Sequence, residues 1–208
     1  MASYAADEFV LVGNHPALDL VNTELGTGAG RVDLLRDVRS VVRWLVAVGL
    51  FSEADAARVP AVWLKGAAAA RFLEELKELR RSLRRLAEDL AAGRPVPAEL
   101  VKGIDRVLAS RSGRMRLRPC EKGHALSFEP DAGHAVQTLL APIAQSAAEL
   151  LADGELALIK SCENPDCVLV FYDTTKNHGR HWCSMTACGN RAKAARHYRR
   201  VRADAKVT

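Results

Sequence analysis

Cys162-Glu163-Asn164-Pro165-Asp166-Cys167 and, fifteen residues further on, Cys183-Ser184-Met185-Thr186-Ala187-Cys188 hold four of the five cysteines in the chain. Two short-spaced pairs separated by a longer insert suit a tetrahedral metal site. Each pair grips the ion from one tight turn, and the insert brings the chain back to the opposite side. Four thiolates select zinc, which is redox-inert and imposes no geometry of its own. Asn164, Pro165 and Asp166 are turn formers. Apolar runs flank them at 156–159 and 168–172, so the first pair reads as the turn of a hairpin. Ser184 reads as a helix N-cap, which places Cys188 in the first turn, where helix-end N–H groups favour a thiolate. A hairpin knuckle followed by a knuckle that opens a helix is a treble-clef-like arrangement. One structural zinc per chain is the expectation.

Rival readings of these cysteines are weaker. Disulfides suit secreted chains, and residues 1–12 carry Asp7 and Glu8 rather than the basic start and apolar stretch of a signal peptide. A redox pair has Cys-x-x-Cys spacing, which is missing. A catalytic deaminase zinc needs a His-x-Glu element, which is also missing. His178 and His181 stay open as substitutes for one cysteine. Cys120 stands apart and reads as a free thiol.

Working outward, the 208 residues are 49% hydrophobic, 26% charged and only 5% aromatic. Rich in Ala, Leu, Val and Arg, the chain favours helices packed through aliphatic side chains. No run reaches the roughly 18 apolar residues of a membrane span, so a cytoplasmic protein with no membrane partner is expected. Residues 1–30 look irregular, with a short strand at 9–12 and a short helical piece at 17–25. Apolar positions Leu34, Leu35, Val38, Val42 and Leu45 predict a helix over 31–50, capped by Asp33 and ended by Gly49. Ser52 with Asp55 opens a short second helix before Pro60. Leu73, Leu76, Leu79, Leu83, Leu86 and Leu90 stripe a long helix over 67–92, with Arg80 and Arg84 on its charged remainder. Another helix runs over 98–109. Alternation at 114–118 and 125–129 predicts a β-hairpin, and 134–152 returns to helix, bent at Pro142.

The expected fold class is therefore α+β and mainly helical. A helical body with a small β-hairpin covers residues 1–154, and a treble-clef-like zinc finger with a basic helix covers 155–208.

Net charge is +5, but from Lys176 onward nine Lys or Arg face one acid, Asp204, giving +8 against −3 for the rest. After Cys188, the cations of Arg191-Ala192-Lys193-Ala194-Ala195-Arg196-His197-Tyr198-Arg199-Arg200 are separated by small residues. At 100° per residue Lys193, Arg196, His197 and Arg200 share one side, the expected nucleic-acid contact surface. The plain alternative is charge balance: four thiolates around Zn2+ leave −2, which Lys176, Arg180 or Arg191 would offset. Asn190 is expected to support the zinc knuckle through a hydrogen bond. In the body, Asp19, Asn22 and Thr23 cluster in an apolar segment. They could line a small-molecule pocket, but such residues more often bond local backbone. No nucleophile–base set and no phosphate loop is present, and His124 and His134 are isolated. No enzyme is expected.

Cys188-Gly189-Asn190-Arg191, with Trp182 and Asn164-Pro165-Asp166-Cys167, resembles the CGNR zinc-finger family. Leu18-Asp19-Leu20-Val21-Asn22-Thr23 is similar to the signature of the ABATE domain usually fused to it. The resemblance implies a bacterial, stress-related transcription regulator with a zinc-binding nucleic-acid module. The expected partner is DNA, with RNA, a small-molecule effector and a homodimer as further expectations. The alternative is a docking module that meets an acidic protein surface through the same basic helix.

Overall fold

A computed structural model describes residues 9–27, 30–109, 113–120, 123–130 and 136–204. The side chains of Cys120 and Arg200, and all of His134, lie outside the described residues. The elements run α1 (Pro16–Val21), β1 (Glu24–Thr27), β2 (Gly30–Asp33), α2 (Val38–Ala47), α3 (Glu53–Ala57), α4 (Ala67–Ala91), α5 (Ala98–Ala109), β3 (Gly113–Cys120), β4 (Gly123–Pro130), α6 (Leu140–Asp153), β5 (Ile159–Ser161), β6 (Val170–Tyr172) and α7 (Asn190–Asp204). Each sheet is a two-stranded antiparallel hairpin.

The long helix α4 organises the body. Phe72, Leu76, Leu79, Leu83 and Leu86 recur every three or four residues and are all buried, each side chain contributing about 1.5–3 kcal/mol. This stripe packs on α1, α5 and β5, while α1 also meets α6 and β6. Six-residue α1 is thus enclosed on several sides, which is why Ala17, Leu18, Leu20 and Val21 are wholly inaccessible. Among the described residues, no helix is long and apolar enough to cross a membrane.

Four local expectations are corrected. Residues 9–12 form no strand; they run irregularly beside the cysteines. Asp33 caps nothing. It ends β2, and the helix starts later, at Val38, where Asp37 accepts from Ser40 N and Ser40 Oγ accepts from Asp37 N. That reciprocal box satisfies two amides at once and outcompetes a lone carboxylate. Residues 24–27 and 30–33 pair as antiparallel strands, joined by an Arg31–Glu24 ion pair at 3.1 Å. Pro142 falls in the first turn of α6, where its missing N–H costs no intrahelical bond, so it opens the helix rather than bending it.

The buried apolar residues form two clusters. The larger fills the space between α1, α2, α4, α5 and α6 and takes in Ile159 and Val170 from the last hairpin. The smaller joins Val10, Leu25 and Leu34 to Cys162, Leu169, Phe171, Cys183 and Cys188. The cysteine layer is therefore roofed by residues from the start of the chain.

Candidate metal centre and basic helix

The first knuckle grows from the β5–β6 hairpin, where Ser161 pairs with Val170. Cys162 N donates to Leu169 O and Cys167 N to Asn164 O, each at 2.9 Å. Asn164 Oδ1 accepts from Asp166 N at 3.2 Å, locking the turn. The second knuckle is a π-helical turn, Met185–Gly189, capped by Ser184, whose Oγ accepts from Ala187 N. Cys188 and Gly189 both donate to Ser184 O at 3.0 Å. Only then does α7 begin, so Cys188 sits one turn ahead of the α-helix proper.

These turns bring all four Sγ atoms within 4.8 Å of one another. Cys167 and Cys183 are 3.7 Å apart, Cys183 and Cys188 3.5 Å. A tetrahedron with Zn–S bonds of about 2.3 Å has S···S edges of about 3.8 Å, whereas a disulfide needs about 2.05 Å. The rival histidines are engaged elsewhere: His181 Nδ1 pairs with Glu163, and His178 Nδ1 faces Asp173 O. Backbone amides of Asn164 and Cys183 point at Cys162 Sγ, and that of Leu169 at Cys167 Sγ. Hydrogen bonds from Cys167 and Cys183 hold Cys162 low, while that same contact pushes both of them up. These three thiols ionise together only around a cation. The donors fit one structural zinc ion, which this chain holds through Cys162, Cys167, Cys183 and Cys188 in a closed site with no position for substrate.

Two groups offset the −2 charge. Arg191 Nη2 approaches Cys188 Sγ at 3.9 Å. Arg180 lies 4.0 Å over the Phe171 ring and donates to Trp182 O, Cys183 O and Val12 O. Asn190 is exposed at the start of α7. The side-chain amide that reaches a thiolate belongs to Asn164, whose Nδ2 donates to Cys188 Sγ at 3.3 Å.

The body's polar cluster meets this finger. Asn22, wholly buried, accepts from Val170 N at 3.0 Å and donates to Val170 O at 2.9 Å. Thr23 Oγ1 donates to Leu20 O and accepts from Arg80. Asp19 accepts from Gly13 N at 2.8 Å, and Gly13 O accepts from Tyr172 N at 2.8 Å. A Cβ on Gly13 would stand 2.8 Å from Asp19 N, so only glycine lets the segment pass so close. Asp19, Asn22 and Thr23 are thus each committed to protein partners.

Two further residues were not legible as buried. Arg80 binds Asp33 through both oxygens, at 2.7 and 2.6 Å. Arg84 donates to Val21 O and to Val168 O at 2.8 Å, tying α4 to the finger. Their signal is the line Phe72, Leu76, Arg80, Arg84 at successive i,i+4 steps, which continues the apolar stripe.

Burial pushes the Asp19 carboxyl up to about 6 from 3.8, against bonds from Gly13, Asn22 and Val12 that favour its charge. Because the folded value is the higher one, the stability this group contributes is complete below about pH 4. It is lost as pH rises through about 6, by roughly 3 kcal/mol. Carboxyl-carbon NMR is expected to show one aspartate titrating near pH 6, and the signal should vanish in Asp19→Ala.

Beyond the finger, Arg191, Lys193, Arg196, His197 and Tyr198 are exposed on α7.

Comparison with family models gives two matches. Residues 14–154 match ABATE, described as "Putative stress-induced transcription regulator", and residues 159–201 match the CGNR zinc finger. No curated protein matches the chain. Neither family is of an enzyme type. With ABATE matched over more than half its length, the chain belongs to the ABATE family and carries a CGNR zinc finger after that domain.

Proposed function

We propose that this regulator binds DNA through α7, which the zinc centre holds in place, and that the body before residue 155 reads a ligand or a partner. The observation that carries the reading is α7 itself. Arg191 and every residue from Lys193 to Tyr198 are exposed, so no apolar stripe docks this stretch on the body. A helix polar all round needs either internal ion pairs or an external partner. Up to Asp204 the helix has no acid, so the exposed Lys193 and Arg196 have no carboxylate on their own helix. Phosphates would supply that counter-charge. The coupling of finger to body through Asn22, Arg84 and Gly13 supports the regulatory half, since a shift in α1 or α4 would reach the base of α7.

Fluorescence anisotropy of the zinc-loaded full chain with duplex DNA, at two salt concentrations, tests the reading. Lys193→Ala and Arg196→Ala should each weaken binding and flatten the log–log salt slope by about 1. Their melting temperatures should stay at the wild-type value, because both side chains are exposed. No binding to any duplex at low salt would sink the proposal.

A further inference from the structure

A groove of about 740 Å³ opens beside the second knuckle. One wall is the N-terminal segment with Leu11 and Val12; the other is the loop that carries Lys176, Trp182 and Met185. Sites of this size favour seams between two parts of a fold. Leu11 is 43% and Met185 51% exposed, so an apolar floor lies open to solvent around a half-buried Trp182. The rim carries Lys176, Arg180 and His181, and among the described residues no Asp or Glu lines the groove.

The loop is built rather than slack. Asp173 is fully buried and accepts from Lys160 Nζ, Thr175 N, Thr175 Oγ1 and Arg180 N. Burial alone would push its carboxyl up, but these donors outweigh it and hold it well below the usual carboxylate range. The charge is thus fixed as the anchor of the loop. His178 adopts φ +45°, tightening the turn. Lys176 is exposed at the tip.

An apolar floor under a cationic rim needs a ligand with both characters. A bare anion would leave Trp182 and Met185 uncovered; an apolar peptide would leave Lys176 without a counter-charge. A paired duplex offers its base faces to nothing. Met185 also opens the π-helical turn that runs into α7, so a strand lying along the basic helix reaches the groove. We infer that the groove takes an unpaired nucleotide, its base on Trp182 and Met185 and its phosphate on Lys176. The approach along α7 rests on the DNA-binding reading above; the chemistry of the groove does not.

The test uses the zinc-loaded full chain with a labelled oligothymidylate, a duplex, and thymidine monophosphate as competitor. The single strand should bind and quench tryptophan emission, and Trp182→Phe should remove most of the quench. Lys176→Ala should weaken the single strand roughly five- to ten-fold, with duplex affinity changed by less than about two-fold. Competition by millimolar thymidine monophosphate assigns the groove to a free nucleotide, and its failure assigns it to a strand. Thermal melts of both variants confirm that they fold. If Lys193→Ala weakens the duplex while Lys176→Ala and Trp182→Phe leave the single strand unchanged, the groove inference is overturned and the α7 reading stands. If the groove variants weaken the single strand while Lys193→Ala weakens nothing, the inference stands and the α7 reading falls. A chain that binds no nucleic acid of either kind overturns both.

Discussion

Stripping the zinc should lower the melting temperature by about 10 °C or more and should open the start of the chain together with the finger. A structural zinc is worth about 10–16 kcal/mol in apparent binding energy, against a total stability of about 5–15 kcal/mol for an ordinary domain. Without the ion, Cys162, Cys167 and Cys183 cannot all ionise, and the knuckles lose their four bonds to a common centre. The damage does not stop there. Val10, Leu25 and Leu34 pack on Cys162, Cys183 and Cys188, and Arg180 ties Cys183 O to Val12 O. Hydrogen exchange after treatment with a strong chelator should therefore show lost protection at 159–190 and at 9–34 in the same step. The middle of α4 should keep its protection, because Leu76, Leu83 and Leu86 belong to the other core. Cys183→Ser should reproduce the pattern without a chelator. Full protection at 9–34 in the metal-free chain would count against a shared core and in favour of an autonomous finger. If α7 binds DNA as proposed, that affinity should fall with zinc content, since α7 begins directly after the turn that carries Cys188.

Local chemistry was readable and long-range commitment was not. The leucine stripe of α4, the box that opens α3 and both zinc knuckles depend on residues within a few positions of one another. Spacing alone defines them. Asn22 and Val170 are 148 residues apart, and nothing near Asn22 announces which backbone it will pair with. Arg80 and Arg84 stand among charged neighbours and look solvated until Thr23 and Asp33, and the carbonyls of Val21 and Val168, are laid against them. Asp33 could cap a helix or bind an arginine; the presence of Arg80 47 residues away decides. The choice between Asn164 and Asn190 as the amide that serves a thiolate turns on the exit direction of α7. That direction follows from the π-helical turn, and the turn has no sequence signature of its own. The same holds for the groove. Leu11 and Trp182 come together only because the first segment of the chain folds back over the knuckle.

Asn22→Asp is expected to be among the most damaging single changes in the body, and to be so only at neutral pH and above. The amide is wholly buried and uses both its ends on Val170, oxygen to N–H and nitrogen to carbonyl. A carboxylate can accept from Val170 N but faces Val170 O with a second oxygen and no proton. It also faces Asp19, which accepts a bond from the native amide. An uncompensated buried charge of this kind costs about 3–5 kcal/mol. A protonated acid behaves differently: its O–H donates to Val170 O and its carbonyl accepts from Val170 N, restoring the native pattern. The folded state therefore raises the pKa of the introduced carboxyl above its unfolded value. The stability of the variant is then full below the unfolded value near 4 and is lost as pH rises through the folded value. Asn22→Ala removes both bonds at every pH, at about 2–4 kcal/mol, and should recover only the smaller share that protonation of Asp19 returns. Urea midpoints of both variants against wild type at pH 5.5 and pH 8 separate the two cases. Referring each value to wild type at the same pH cancels protonation of the zinc ligands, and Asn22→Ala, which also loses the bond to Asp19, reports the share that Asp19 contributes. A loss for Asn22→Asp that is equal at both pH values would mean that Val170 is not held by this side chain. If the gap narrows at pH 5.5, the buried Asn22 amide joins body and zinc finger alongside the Arg84 and Gly13 bonds.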